Sequence, residues 1–112
     1  MSSRATGVFS TAISNTVVTV IESGPHNLRM LTFLNTTAAP AYLQIFNTSA
    51  PSVTLGTTIP TLSIGVPASA GIVLPIPSEG LNLGGNGISV AGTTGRTNST
   101  AAILHINLGY GG

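Results

Sequence analysis

Apolar residues recur along this chain in short runs of alternating character, broken every few positions by Gly, Pro, Asn, Ser or Thr. The two strongest neighbouring runs are Leu28 to Leu34 and Tyr42 to Phe46, with Asn35-Thr36-Thr37-Ala38-Ala39-Pro40 between them. β-Branched and aromatic side chains suit a pleated surface, and Asn and Pro punctuate its ends, so the pair reads as two strands and a connecting loop, a spacing that allows a hairpin. In the first run Leu28, Met30, Thr32 and Leu34 share one face and Arg29, Leu31, Phe33 and Asn35 the other. Successive strand residues point to opposite sides, so both faces carry large apolar groups. Such a strand calls for cover on both sides: a core on one, and a sheet, loop or subunit on the other.

The remaining runs follow the same rule. Val8 to Ser14 is a weak first strand and Thr16 to Glu22 a good one, followed by a turn at Ser23-Gly24-Pro25. Thr48 to Thr58 is a polar loop. Ile59 to Gly65 is a strand with Leu62 and Ile64 on one face; Pro60, which donates no ladder hydrogen bond, makes it an edge or late-starting strand. Ile72, Leu74 and Ile76 alternate with Val73 and Pro75, and Pro77 to Gly87 is a glycine-rich loop. Ile88-Ser89-Val90 has the pattern of a half-buried strand, and Gly92 to Thr100 is polar loop. The last strand is the clearest: Ala102, Leu104, Ile106, Leu108 and Tyr110 on an inward face, Ile103, His105, Asn107 and Gly109 outward. Gly111 and Gly112 fray unless something holds them. No window offers a helical apolar stripe. The expected fold is an all-β antiparallel sandwich, jelly-roll-like, of seven or eight short strands without significant helix. Residues 1–14 form an amino-terminal arm or an edge strand, and 15–112 a single sandwich domain.

Charge changes this picture. Only 4% of the 112 residues are charged, against roughly 25% in an ordinary domain. Those charges are Arg4, Arg29, Arg96, Glu22 and Glu79. Either much of the surface is covered in an assembly, or hydroxyls and amides alone keep the chain in solution. A net charge of +1 leaves no basic footprint for nucleic acid. With no cysteine there is neither a disulfide nor a thiolate metal site. No apolar stretch is long enough for a membrane helix, and Met1-Ser2-Ser3-Arg4 opens no apolar leader, so synthesis and folding in a cytoplasm are expected.

Candidate chemistry is sparse. His26 and His105 have no second ligand at metal-binding spacing. Glu22 and Glu79 could in principle pair as acid and base, but each is accounted for by a strand end and a turn. Ser, His and Glu are all present, yet no Gly-x-Ser-x-Gly elbow exists. Leu83-Gly84-Gly85-Asn86-Gly87 lacks the Lys and the helix of a phosphate loop and reads as a tight turn at Asn-Gly. Three Asn-x-Ser/Thr sequons, at Asn35, Asn47 and Asn98, arise by chance in a chain this rich in Ser and Thr. No catalytic residue, cofactor, metal or small-molecule substrate is expected. The segment Ser2 to Ser14, with Val8, Phe9 and Ile13 embedded in polar sequence, is either an arm onto a neighbouring subunit or a frayed end plus an edge strand.

Several stretches are familiar in combination. They are Phe33-Leu34-Asn35 and Ile45-Phe46-Asn47 around Ala39-Pro40-Ala41-Tyr42-Leu43, the Pro67 to Pro75 run ahead of the glycine-rich loop, Ile88-Ser89-Val90-Ala91, and Ala101 to Tyr110. From Leu28 onward the chain resembles the small β-sandwich virion proteins of tailed bacteriophages that decorate or cement a capsid. The resemblance implies a non-enzymatic protein on the capsid exterior, bridging subunits of the major capsid protein and associating with its own copies as a dimer or trimer. It transfers no residue roles. Val8, Phe9, Ile13, Arg29, Leu31 and Phe33 are the expected contact residues, so Phe33→Asp is expected to weaken assembly. The alternative is a receptor- or carbohydrate-binding module of a tail or fibre, which the absence of Trp and the presence of only Tyr42 and Tyr110 disfavour.

Overall fold

The computed structural model describes residues 7–21, 27–76, 80–82 and 86–111. Nine strands and one short 3-10 turn (Ala50–Ser52) make up the regular structure of these residues. The strands are β1 (Gly7–Ile13), β2 (Val18–Ile21), β3 (Asn27–Asn35), β4 (Ala41–Phe46), β5 (Leu62–Val66), β6 (Ala70–Val73), β7 (Leu81–Asn82), β8 (Ile88–Thr93) and β9 (Leu104–Gly111).

All pairings are antiparallel and fall into two sheets. The first has the order β1-β9-β3-β6, with β7 also on β3; the second runs β2-β8-β4-β5. The pairs β4·β5, β3·β6, β2·β8 and β1·β9 are successive rungs of one long two-chain ribbon turning between β4 and β5. Wrapping that ribbon places β9 beside β3 and β8 beside β4. This is a jelly roll, with β7 as a small addition. Proline shapes its edge as expected: β5 starts two residues after Pro60 and lies at the border of its sheet.

The core lies between the sheets. Leu31 and Phe33 of β3 and Leu104, Ile106 and Leu108 of β9 meet Leu43 and Ile45 of β4, Val66 of β5, and Ile88 and Val90 of β8. Each such side chain withdrawn from water contributes about 1.5–3 kcal/mol. The inward face of the last strand is as its alternation predicts, with Ala102 and Tyr110 packed at its margins. Gly111 is held by pairing with Asn27.

One open choice is decided and two expectations need correction. The run Leu28–Leu34 and the run Tyr42–Phe46 do not form a hairpin: β3 and β4 belong to different sheets, and the loop between them crosses the sandwich. Asn86-Gly87 is not a hairpin turn either, since β7 pairs with β3 while β8 lies between β2 and β4. Nor is β8 half-buried; every residue from Ile88 to Thr93 is enclosed. The reason for the last is that the second sheet is covered twice. Its inner face meets the core and its outer face lies under loops of the same chain. Ser63 Oγ donates to the Arg96 carbonyl (2.8 Å) and Gln44 Nε2 to the Asn98 carbonyl (3.0 Å), so the 94–100 loop is strapped over β4 and β5. The Ala50 amide donates to Thr19 Oγ1 (2.8 Å), which anchors the 47–61 loop on β2.

Candidate functional site

The outer face of the β1-β9-β3-β6 sheet has no comparable cover among the described residues. Its register sets three rows across the strands. Val8, Gly109 and Met30 align in the first. Ser10, Asn107, Thr32 and Val73 align in the second, and Ala12, His105, Leu34 and Gly71 in the third. Ile103 continues the outward alternation just ahead of β9. Of the described large apolar residues that are exposed, Val8 (68%), Met30 (42%), Leu34 (44%) and Val73 (76%) project here; Ile103 (49%) lies just ahead of β9 beside Thr37 and Pro40, and Ile59 lies elsewhere. A singly exposed leucine is ordinary; four large apolar groups on one sheet face are not.

The polar members of the face are tied to each other. Ser10 Oγ donates to Asn107 Oδ1, and Asn107 Nδ2 donates to Thr32 Oγ1 (3.5 Å), linking β1, β9 and β3 by side chains alone. Beside this ladder is a shallow hollow over Gly71, bounded by Leu34, Val73, His105 and Asn107. The three rows and Ile103 contain no Asp, Glu, Lys or Arg.

The expected contact residues divide. Val8 stands on this exposed face. Phe9 points inward and packs against the core, and Ile13 is part of it. Leu31 and Phe33 are fully buried core residues, which corrects their assignment to a contact surface. Arg29 is half-buried, close enough to Gly80 that a Cβ there would crowd its guanidinium. Thus β3 does carry apolar groups on both faces, but the outward set is Met30, Thr32 and Leu34. The register explains the choice. Leu31 pairs with Leu108 and Phe33 with Ile106, so whichever face of β9 enters the core takes Leu31 and Phe33 with it. Alternation in β9 held that signal, and aligning the two strands would have read it.

Other chemistry is not assembled. Among the described residues no three His, Cys, Asp or Glu side chains come together. His26, Glu22 and Glu79 lie outside the described residues. No helix there is long and apolar enough to cross a membrane. Both tyrosines have packing roles: Tyr110 lies across from Gly7 and Tyr42 across from Gly65, each ring occupying the space a glycine leaves on an edge strand. The three sequon asparagines all brace loops, a use their sequence pattern alone did not disclose. Asn47 Oδ1 accepts from the Asn86 amide (3.0 Å), and Asn98 Oδ1 accepts from the amides of Gly95 (3.2 Å) and Thr100 (3.3 Å). Asn35 is wholly buried and forms four hydrogen bonds, two to Thr37 and two to the carbonyls of Ala39 and Pro67. Compared with models of known protein families, with curated proteins and with solved structures, the chain matches none.

Proposed function

We propose that this protein is a non-enzymatic structural component of a phage particle, a decoration or cement protein that sits on the capsid exterior and bridges major capsid protein subunits. The observation that carries this reading is the uncovered apolar sheet face of a chain with almost no charge. A free domain keeps the outer face of an antiparallel sheet polar. Among the described residues, the chain's own loops close one outer face and leave the other apolar, which suits a molecule completed by protein neighbours. Contacts of modest strength hold such a protein firmly when many copies engage a repeating lattice, because effective concentration replaces individual affinity. The resemblance to small phage sandwich proteins supplies the particle; jelly-roll architecture is compatible with it and with many other roles.

The test is co-sedimentation of the purified chain with capsids that lack it. Saturable binding at a fixed ratio to the major capsid protein, with greater resistance of the shell to heat, is the expected result. Absence of binding, combined with a specific hit on a glycan array, would replace this reading with a receptor-binding one.

A further inference from the structure

We infer that the outer face of the β1-β9-β3-β6 sheet is a self-association surface, on which two copies of this chain stack sheet against sheet about a two-fold axis. This rests on the assembly reading above and assigns the face to the contact between copies, leaving the capsid contact to other surfaces. The apolar groups Val8, Met30, Leu34 and Val73 leave the face incomplete in isolation. What covers it is constrained by charge. An ordinary protein surface, about a quarter charged, would bring ions into a contact that offers them no counter-charge, and an ion stripped of water without a partner is costly. The occupant must be as poor in charge as the face itself, and a second copy meets that condition. Three of the four polar side chains on the face permit enclosure, and the fourth, exposed His105, must take a partner from the second copy. Ser10, Asn107 and Thr32 are hydrogen-bonded to each other across three strands, so covering them does not orphan this ladder. Relief is present as well: Val73 stands out beside the hollow over Gly71.

Size decides the strength. Four strands spaced about 4.8 Å apart and about seven residues long span roughly 19 by 23 Å. That is on the order of 450 Å² of flat face, below the ~800 Å² per partner of a standard stable interface. The association is therefore reversible and depends on concentration. It closes at two copies because each uses up the same face.

Sedimentation velocity on the full chain across a wide concentration series tests this. The expected result is a monomer–dimer equilibrium with no larger species. Leu34→Asp and Val73→Asp place a charge on the face at positions already exposed, so circular dichroism and melting should match the parent. Each should weaken dimerisation by about tenfold or more. Ile59→Asp, at an exposed apolar position away from the face, should dimerise like the parent. The inference is overturned by a parent that stays monomeric at the highest concentration, by growth past the dimer, or by folded Leu34→Asp protein that associates unchanged. A monomer that still binds capsids would sink this inference and leave the assembly reading standing. A dimer that ignores capsids would do the reverse.

Discussion

Single residues set how closely the strands and loops approach. At Gly92 the amide donates to the Ser14 carbonyl (2.8 Å), and its carbonyl accepts from the Ala102 amide (3.2 Å). A Cβ there would fall well inside contact distance of the Ala102 carbonyl oxygen. The obstacle is backbone held by those same hydrogen bonds, so it cannot swing away as a side chain would. Gly92→Ala should cost about 1–3 kcal/mol, the usual range for overpacking, read as a lower urea midpoint with unchanged slope. Asn35 works differently, through complete satisfaction of a buried amide. Its Nδ2 donates to Ala39 (2.7 Å) and Pro67 (3.2 Å), which ties the β3–β4 loop to the β5–β6 loop. Asn35→Asp keeps the acceptor but loses both donations and sets a carboxylate against two carbonyl oxygens. A loss of about 2–3 kcal/mol or more at neutral pH is expected from the same denaturation measurement.

At the scale of elements, the two faces of β3 make opposite predictions for neighbouring positions. Phe33→Asp buries a charge among Leu31, Leu108 and Ile106 and should unfold the domain, since the cost rivals a total stability of about 5–15 kcal/mol. Leu34→Asp should leave the circular dichroism spectrum unchanged. The 94–100 strap allows a second test. Gln44 Nε2 donates to Thr93 Oγ1 (2.7 Å) and to the Asn98 carbonyl (3.0 Å), both beneath or within that loop, and exposed Arg96 offers trypsin a cleavage point. Gln44→Ala should raise the rate of cleavage after Arg96 by about tenfold, as expected for losing one to three kcal/mol of buried hydrogen bonding. These elements also show what the sequence could and could not disclose. Strand identity was legible because it rests on local alternation, as in β9, and on local breakers, as with Pro60 ahead of β5. Sheet membership was not. Whether the β3–β4 loop turns back or crosses depends on contacts such as Asn35 to Pro67, thirty-two residues away. For the same reason the sequence shows Ile88-Ser89-Val90 as a half-buried strand and Gly92 and Thr93 as loop, whereas the chain's own loops enclose β8 from Ile88 to Thr93. The candidate surface was legible as a doubly apolar strand, but its outward side waited on the pairing of β3 with β9.

For the whole molecule, the scarcity of charge governs behaviour in solution. Acid unfolding is driven mainly by carboxylates that are stabilised in the native state and must take up protons as pH falls. This chain has only two carboxylate side chains of any kind, Glu22 and Glu79. Beyond these it has two histidines and no Asp. The melting temperature should therefore stay within a few degrees from about pH 5 to about pH 8, a range over which a normally charged domain shifts more; calorimetry at unit intervals of pH checks this. The same scarcity would separate the proposed assembly from one steered by charge. Salt weakens exposed ion pairs by screening, but it strengthens the burial of apolar surface when its ions are excluded from the protein. A contact built on Val8, Met30, Leu34 and Val73 has nothing for salt to screen. Raising sodium sulfate to about 0.5 M should hold or tighten the proposed association between copies, followed by sedimentation at constant protein concentration. Dissociation under those conditions would mean that the few arginines and glutamates, not the apolar sheet, carry the contact.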